Sequence, residues 1–314
     1  MLILINLILL ITFSFLLIKA TQLLITSLKK ISLTTGLGKF ALASILISLA
    51  TSLPELFVSI TAAFSNEQNL ALGNILGSNI ADISLILGGV VLVGGKLSVR
   101  GDYLKKDLLI VFLASTLPLI LILDKQLSRL DGLLLLLIFW LYNYSVYRQS
   151  AARKNFLSEG ESRKSIKKEL FTIFAAAGML LISAEIIVKS AVGIALWFNL
   201  PIFLAGLFFV AIGTSLPELV FEMSAIKHKE MAMVFGDSLG SLVANATLIL
   251  GLTVLINPIT IVSHQELFLA TLIFVVAFSL FWFFSRTKKK LERWEGLVLL
   301  LVYVVFAFLE FYQR

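Results

Sequence analysis

The 314-residue sequence contains no cysteine and only two histidines, His228 and His264. The first absence excludes disulfides, thiolate catalysis and cysteine-ligated zinc or iron–sulfur centres. The second leaves a histidine metal site or a Ser–His–Asp triad almost nothing to work with, because both histidines fall in expected loops. Charge is scarce too: 14 % of residues are charged, against about a quarter in soluble domains. What fills the chain is apolar. It is 59 % hydrophobic with a mean hydropathy of +1.00, the composition of a polytopic membrane protein. A net charge of +7 would suggest nucleic acid for a soluble domain. Here the basic residues sit in short loops between apolar runs, where they orient a chain in the bilayer, so no nucleic-acid partner is expected.

About 20 apolar residues cross the hydrocarbon core as a helix. Ten segments qualify: 2–25, 38–63, 70–94, 107–123, 130–147, 169–197, 201–226, 231–256, 266–285 and 294–311. The first, within MLILINLILLITFSFLLIK, has no basic leader and no small-residue cleavage site, so it reads as a retained span. Loops after odd-numbered spans carry 21 Lys and Arg and those on the opposite side four. The excess places the odd loops in the cytoplasm and both termini outside. The longest connection, RQSAARKNFLSEGESRKSIKK at 148–168, reads as a solvated linker. The expected organisation is a five-helix repeat at 1–147, the cytoplasmic linker, and a second five-helix repeat at 169–314.

Five spans per half would put the halves in opposite orientations, and the sequence carries a matching duplication. TSLPEL stands at 51–56 and again at 214–219, and an offset of 163 aligns 51–88 with 214–251 without a gap, at 17 identities in 38 positions. The fold class read from this is an all-α polytopic membrane protein of ten transmembrane helices in two inverted repeats, an architecture that places substrate near the bilayer midplane.

The duplicated segments carry oxygen chemistry. Ser48, Thr51, Ser52, Glu55 and Ser59 share one helical stripe, as do Thr214, Ser215, Glu218 and Glu222. An acid facing lipid at a helix centre costs at least ~2.5 kcal/mol, so both stripes should face protein or water. Pro54 and Pro217 have no N–H to give, which deprives the carbonyls of Ala50 and Gly213 and loosens those of Thr51 and Thr214. Asn74, Ser78 and Asp82 recur every four residues, as do Asp237, Ser241 and Asn245, with glycines in register that permit close helix approach. The inventory is oxygen only. It suits Ca²⁺, Na⁺ and Mg²⁺ rather than copper or zinc, and one site holding either of two ions in turn is the chemistry of an antiporter.

The paired TSLPE units, followed by GNILGSNIAD and GDSLGSLVAN, resemble the two α-repeats, here 48–90 and 211–253, of the sodium/calcium exchanger family within the calcium/cation antiporter superfamily. The likeness is to the prokaryotic type without a large regulatory loop, which implies a multi-pass plasma-membrane protein. It implies Ca²⁺ held by Glu55, Glu218 and the carbonyls of Thr51 and Thr214. For Na⁺ it implies those groups together with Ser48, Ser52, Ser78, Ala211, Ser215 and Ser241, with Asp82 and Asn245 facing each other at the centre. It further implies that spans 1 and 6 slide over a rigid remainder. The ions are cargo; no resident cofactor, enzymatic activity or obligate protein partner is expected, and the partners are inorganic cations and the bilayer.

The chain departs from the family pattern at Ala50, Asp237 and Leu242, and its central pair is Asp in the first repeat and Asn in the second. Protons are competing ligands at Glu55, Glu218 and Asp82, so the alternatives are a proton-coupled or a K⁺-dependent antiporter. An intramembrane acid-dyad enzyme and a channel are the readings from other classes. Glu185 and Lys189 read as a local ion pair. Glu222 reads either as part of an ion path or, preferred here, as the solvated end of span 7.

Overall fold

A computed structural model describes residues 2–32, 43–98, 102–151, 166–261, 264–287 and 290–312. Each apolar run becomes a helix. We label them α1 (Leu2–Ser32), α2 (43–64), α3 (Gln68–Gly94), α4 (Asp102–Leu121), α5 (Arg129–Ala151), α6 (Ile166–Trp197), α7 (Ile202–Lys227), α8 (Met231–Ile256), α9 (His264–Thr287) and α10 (Arg293–Tyr312). Among the described residues eight helices are long and apolar enough to cross a membrane, and α2 makes a ninth if its two bent halves count as one span. The remaining apolar stretch, Leu108–Asp124, is shorter. Most of the 148–168 linker lies outside the described residues.

The two TSLPE units break their helices at one place. In α2, Ser44–Thr51 and Leu53–Phe64 meet at 53°, with Ser52 at the corner and Pro54 in the first turn beyond it. In α7 the helical run is interrupted at Ser215 with Pro217 in the first turn beyond, while Ile202–Lys227 still forms one span. Proline fits there because an N–H in the first helical turn needs no acceptor. Four π-helical turns add further irregularity, at Ala43–Ile47, Asp82–Ile86, Ala205–Val210 and Ala244–Ile249. Asp82 and Asn245 sit at the beginning of two of them; π turns widen the backbone and recur at functional sites.

Apolar packing falls into two layers. Helices α2–α5 and α7–α10 share a large core that includes Phe235, Phe274, Phe278 and Phe281. The smaller layer is built by α1 and α6 packed along each other, through Leu17, Ala20, Leu180, Ala184, Ile187 and Ala191, over Val58 and Ala62 of α2 and Val210 of α7. Outward positions carry exposed Ile11, Phe15, Leu137, Trp140, Phe174 and Phe308. Large apolar groups on the outside of so many helices match a lipid environment.

The 163-residue offset reappears as matched contacts. Helix α3 lies against the first half of α7, and α8 against the first half of α2. A Cβ on Gly77 would stand 2.1 Å from the carbonyl oxygen of Leu207, and one on Gly240 would stand 2.5 Å from that of Ser44. Two short antiparallel pairs, absent from the all-α expectation, tie the loops: β1 (Lys96–Ser98) with β4 (Lys290–Glu292), and β2 (Gln126–Leu127) with β3 (Ile259–Thr260). Short extended connections leave backbone N–H and C=O groups unmatched, and pairing satisfies them. The offset carries β1 to β3 and β2 to β4, so it exchanges the two pairs.

Helices α5 and α10 both start with an acid three residues past the cap. Ser128 N–H and Oγ donate to Asp131 Oδ2 at 2.8 and 2.7 Å, and Asp131 N–H donates back to Ser128 Oγ at 3.3 Å. Glu292 N–H donates to Glu295 Oε2 at 2.8 Å. Ser128→Ala removes the reciprocal half of a capping box, and should cost about 0.5–2 kcal/mol. A lowered Tm of the purified protein in detergent, with ion transport otherwise retained, is the expected reading.

Candidate functional site

The broken segments of α2 and α7 and the polar faces of α3 and α8 meet inside the large core. All twelve residues singled out from the sequence are buried there: Ser48, Thr51, Ser52, Glu55, Ser78, Asp82, Ala211, Thr214, Ser215, Glu218, Ser241 and Asn245. Glu55 is fully buried and Glu218 is 2 % exposed. Each sits one turn past its helix corner, and each is approached by the corner serine of the other half. Ser215 Oγ donates to Glu55 Oε1 at 3.4 Å, and Ser52 Oγ to Glu218 Oε1 at 3.5 Å. Ser78 Oγ adds a contact to Glu55 Oε1 at 3.5 Å and lies 3.4 Å from Thr214 Oγ1.

These hydroxyl contacts are long; strong O–H···O bonds to carboxylates are nearer 2.5–2.7 Å. The glutamates are therefore oriented rather than fully satisfied. Glu55 Oε2, Glu218 Oε2, both oxygens of Asp82, Asp237 Oδ2, Ser241 Oγ and both side-chain heteroatoms of Asn245 are buried without a hydrogen-bond partner. Most buried polar atoms in folded proteins are paired, and each exception carries a desolvation cost. So many unpaired oxygens in one region form a donor set suited to a hard cation. No Lys, Arg or His with a described side chain is buried, so none of these neutralises the acids. Among the described residues no three His, Asp or Glu side chains converge as a ready-made metal centre; the set is two glutamates completed by hydroxyls, amides and carbonyls.

Two residues with a larger structural part than the sequence assigned them are Asn74 and Asp237. Thr51 Oγ1 donates to Asp237 Oδ1 at 3.1 Å, and Thr214 Oγ1 to Asn74 Oδ1 at 3.1 Å. The 163-residue offset interchanges these bonds. They tie the corner of each broken helix to the facing wall and so hold the threonine backbone in place. The signal was the four-residue register of Asn74 with Ser78 and of Asp237 with Ser241, which marked the wall without saying which helix corner it would meet. Asn79 Nδ2 reaches the Leu242 carbonyl at 3.5 Å, a contact between positions that the offset itself relates, one turn before Asp82 and Asn245.

Ser48 Oγ donates to the Ser44 carbonyl at 2.7 Å, back onto its own helix. The solvated-end reading of Glu222 is corrected: the residue is 1 % exposed, and its Oε1 accepts a 2.6 Å bond from Ser238 Oγ. Helix α8 covers this turn of α7, which periodicity along α7 alone does not reveal. Lys189 and Glu185 form the expected ion pair at 2.6 Å with both side chains exposed, on the outside of α6.

Comparison with known proteins follows the same division of the chain. Residues 5–148 and 168–312 match the family profile described as sodium/calcium exchanger protein. The chain is 27 % identical to the sodium/calcium exchanger MaX1 of Methanosarcina acetivorans over 94 % of this chain and 95 % of that protein. It is 33 % identical to the inner membrane protein YrbG of Escherichia coli over 72 % of each chain. Among solved structures, a chain of the sodium-calcium exchanger NCX_Mj soaked with Na⁺ and Sr²⁺ superposes with a TM-score of 0.71 at 23 % identity, covering 96 % of this chain and 97 % of that one.

Proposed function

The chain belongs to the sodium/calcium exchanger family, a family of membrane cation antiporters, and from that premise we propose that it exchanges Na⁺ for Ca²⁺ at the site between α2, α3, α7 and α8. The observation that carries this reading is the reciprocal pair of buried glutamates. Glu55 and Glu218 each offer one unpartnered oxygen and each leans on the corner serine of the opposite half. Two carboxylates balance one divalent charge. The carbonyls of Thr51 and Thr214, set at the helix corners, supply further oxygens without adding charge, and Ca²⁺ accepts 6–8 such ligands in adaptable geometry.

For Na⁺ the same glutamates serve together with Ser52, Ser78, Ser215, Ser241 and the Ala211 and Ser48 segments. Because the two ions draw on shared carboxylates, occupancy by one set excludes the other. That exclusion is the coupling an antiporter needs. In the proposed cycle the chain crosses the bilayer ten times, as inverted five-helix repeats at 1–147 and 169–314 joined by a cytoplasmic linker, with both termini outside and the protein in the plasma membrane. The α1–α6 layer slides over the remainder to open the site first to one side and then to the other. Its separate packing cluster, rich in alanines such as Ala20, Ala184, Ala191 and Ala195, supports this, because small residues leave a smooth interface.

A second reading, proton-coupled exchange, draws on Asp82, whose two buried oxygens make no hydrogen bond. Proteoliposomes separate the two. Ca²⁺ uptake is expected into Na⁺-loaded vesicles and should disappear when Na⁺ is replaced by choline at constant pH. Uptake driven by a pH gradient with no Na⁺ present would replace the first reading by the second. A requirement for K⁺ in the same vesicles would identify the K⁺-dependent form, and Ca²⁺ flux with no counter-ion at all would mean a channel.

A further inference from the structure

Negative charge is distributed unequally between the two halves of the buried region. The 163-residue offset sets Ser59 opposite Glu222 and Asn74 opposite Asp237. In the first half these positions are neutral and mutually satisfied: Asn74 Nδ2 donates to Ser59 Oγ at 3.2 Å, and Asn74 Oδ1 accepts from Thr214. In the second half both are acids. Glu222 Oε1 is bonded to Ser238 Oγ and Asp237 Oδ1 to Thr51 Oγ1. Glu222 Oε2 and Asp237 Oδ2 have no partner, although neither residue is more than 1 % exposed.

Ser238, which binds Glu222, and Asp237 are successive residues of α8, so the two acids reach the same turn of that helix from its two flanks. Ser241 lies on the same side of α8, four residues past Asp237 and three past Ser238, and its hydroxyl is fully buried and unpartnered. No Lys, Arg or His with a described side chain is buried beside them. Two carboxylates and two hydroxyls, with no nitrogen or sulfur, are ligands for a hard divalent cation.

We propose that Glu222 and Asp237, with Ser238 and Ser241, form a second binding position for a divalent cation of the calcium class between α7 and α8. It lies one helical turn from Glu218, toward the α7–α8 connection, and the first half of the chain has no equivalent. An ion travelling from that end of α7 meets this position before it meets Glu55 and Glu218. The inference rests on the reading of the region as a cation path, and the test below separates the two positions.

Equilibrium dialysis of the purified full-length protein with radioactive Ca²⁺ in Na⁺-free buffer counts bound ions. Two Ca²⁺ per chain are expected for the wild type, and one each for Glu222→Ser and Asp237→Asn. These substitutions install the residues that the first half carries at the same places; the near-isosteric Glu222→Gln serves if Glu222→Ser proves unstable, and Tm checks the fold of each. The Glu55→Gln/Glu218→Gln variant is expected to keep one Ca²⁺, which is lost when Glu222→Ser is added. A single Ca²⁺ in the wild type, or two that persist in both Glu222→Ser and Asp237→Asn, overturns the second position. Two Ca²⁺ retained by Glu55→Gln/Glu218→Gln, with one lost on adding Glu222→Ser, supports it and instead overturns the Glu55–Glu218 assignment.

Discussion

Replacing Glu55 or Glu218 by glutamine is expected to lower Na⁺-driven Ca²⁺ uptake by at least ~100-fold while leaving the fold intact. Two unit charges 4 Å apart interact by about 4 kcal/mol at an effective dielectric of 20, and about 4 kcal/mol is roughly a thousand-fold in binding. Desolvation returns part of that, which leaves ~100-fold as a floor. Glutamine keeps the size of the side chain and can still accept from Ser215 or Ser52, so the change removes charge and little else. The fold should not suffer. Each wild-type glutamate is a buried acid with an unpartnered oxygen and no buried base among the described side chains, so neutralising it relieves a cost. The expected pair of readings is a Tm without Ca²⁺ equal to or above wild type, and loss of the rise in Tm that Ca²⁺ gives. The stabilisation behind that rise is about 2.7 kcal/mol at a ligand concentration 100 times Kd. Near-wild-type uptake by either variant would remove these glutamates from the site.

The second large effect is steric. Gly77→Val should destabilise the protein by about 3 kcal/mol or more and abolish transport with it. An added Cβ on Gly77 would lie 2.1 Å from the Leu207 carbonyl oxygen and 2.8 Å from Ala211 Cβ, and one on Gly73 would lie 2.0 Å from the Phe203 carbonyl oxygen. The obstacles are backbone and a helix-bound methyl, which cannot swing aside, so α3 and α7 must part. Overpacking of a well-filled core costs about 1–3 kcal/mol even when neighbours adjust. Parting these helices also stretches Ser78–Thr214, at 3.4 Å, and Thr214–Asn74, at 3.1 Å, which hold one half of the site together. Gly89 is the control, since nothing lies within 4 Å of the position its Cβ would take. Gly89→Ala should be neutral or stabilising by up to about 1 kcal/mol, because alanine is the better helix former. Thermal unfolding in detergent compares the two; a Gly77→Val protein as stable as Gly89→Ala would mean that the α3–α7 approach is looser than described.

Much of the fold is legible in the sequence because membrane spans are long, local and governed by composition. Eight of the ten apolar segments are helices long and apolar enough to cross a membrane among the described residues, and α2 makes a ninth if its bent halves count as one span; α1, α5 and α6 run beyond their expected ends, into polar residues that a helix tolerates once it leaves the hydrocarbon core. The duplication made the site legible as well. Thr, Ser, Pro and Glu recurring in register within apolar helices have few explanations other than paired polar function, and every residue chosen on that ground proved buried. Where the reading fell short, a facing helix decided the outcome. Glu222 looked like a solvated helix end because its own chain soon turns polar at Lys227, yet α8 covers it and Ser238 binds it.

What the amino-acid sequence determined by itself is therefore the all-helical membrane class, most of its spans, the duplicated interruptions at Ser52–Pro54 and Ser215–Pro217, and an oxygen-only inventory. All of these depend on composition or on neighbours a few residues away. Only the tertiary structure decided that Thr51 meets Asp237, that Thr214 meets Asn74, that Glu55 and Glu218 lean on each other's corner serines, and that α1 and α6 form a layer of their own. Helical periodicity tells which residues share a face; it carries no information about what that face meets. The bond from Thr51 to Asp237 spans 186 residues of chain, and only the packing of α3 against α7 and of α8 against α2, made possible at Gly73, Gly77 and Gly240, brings its ends together.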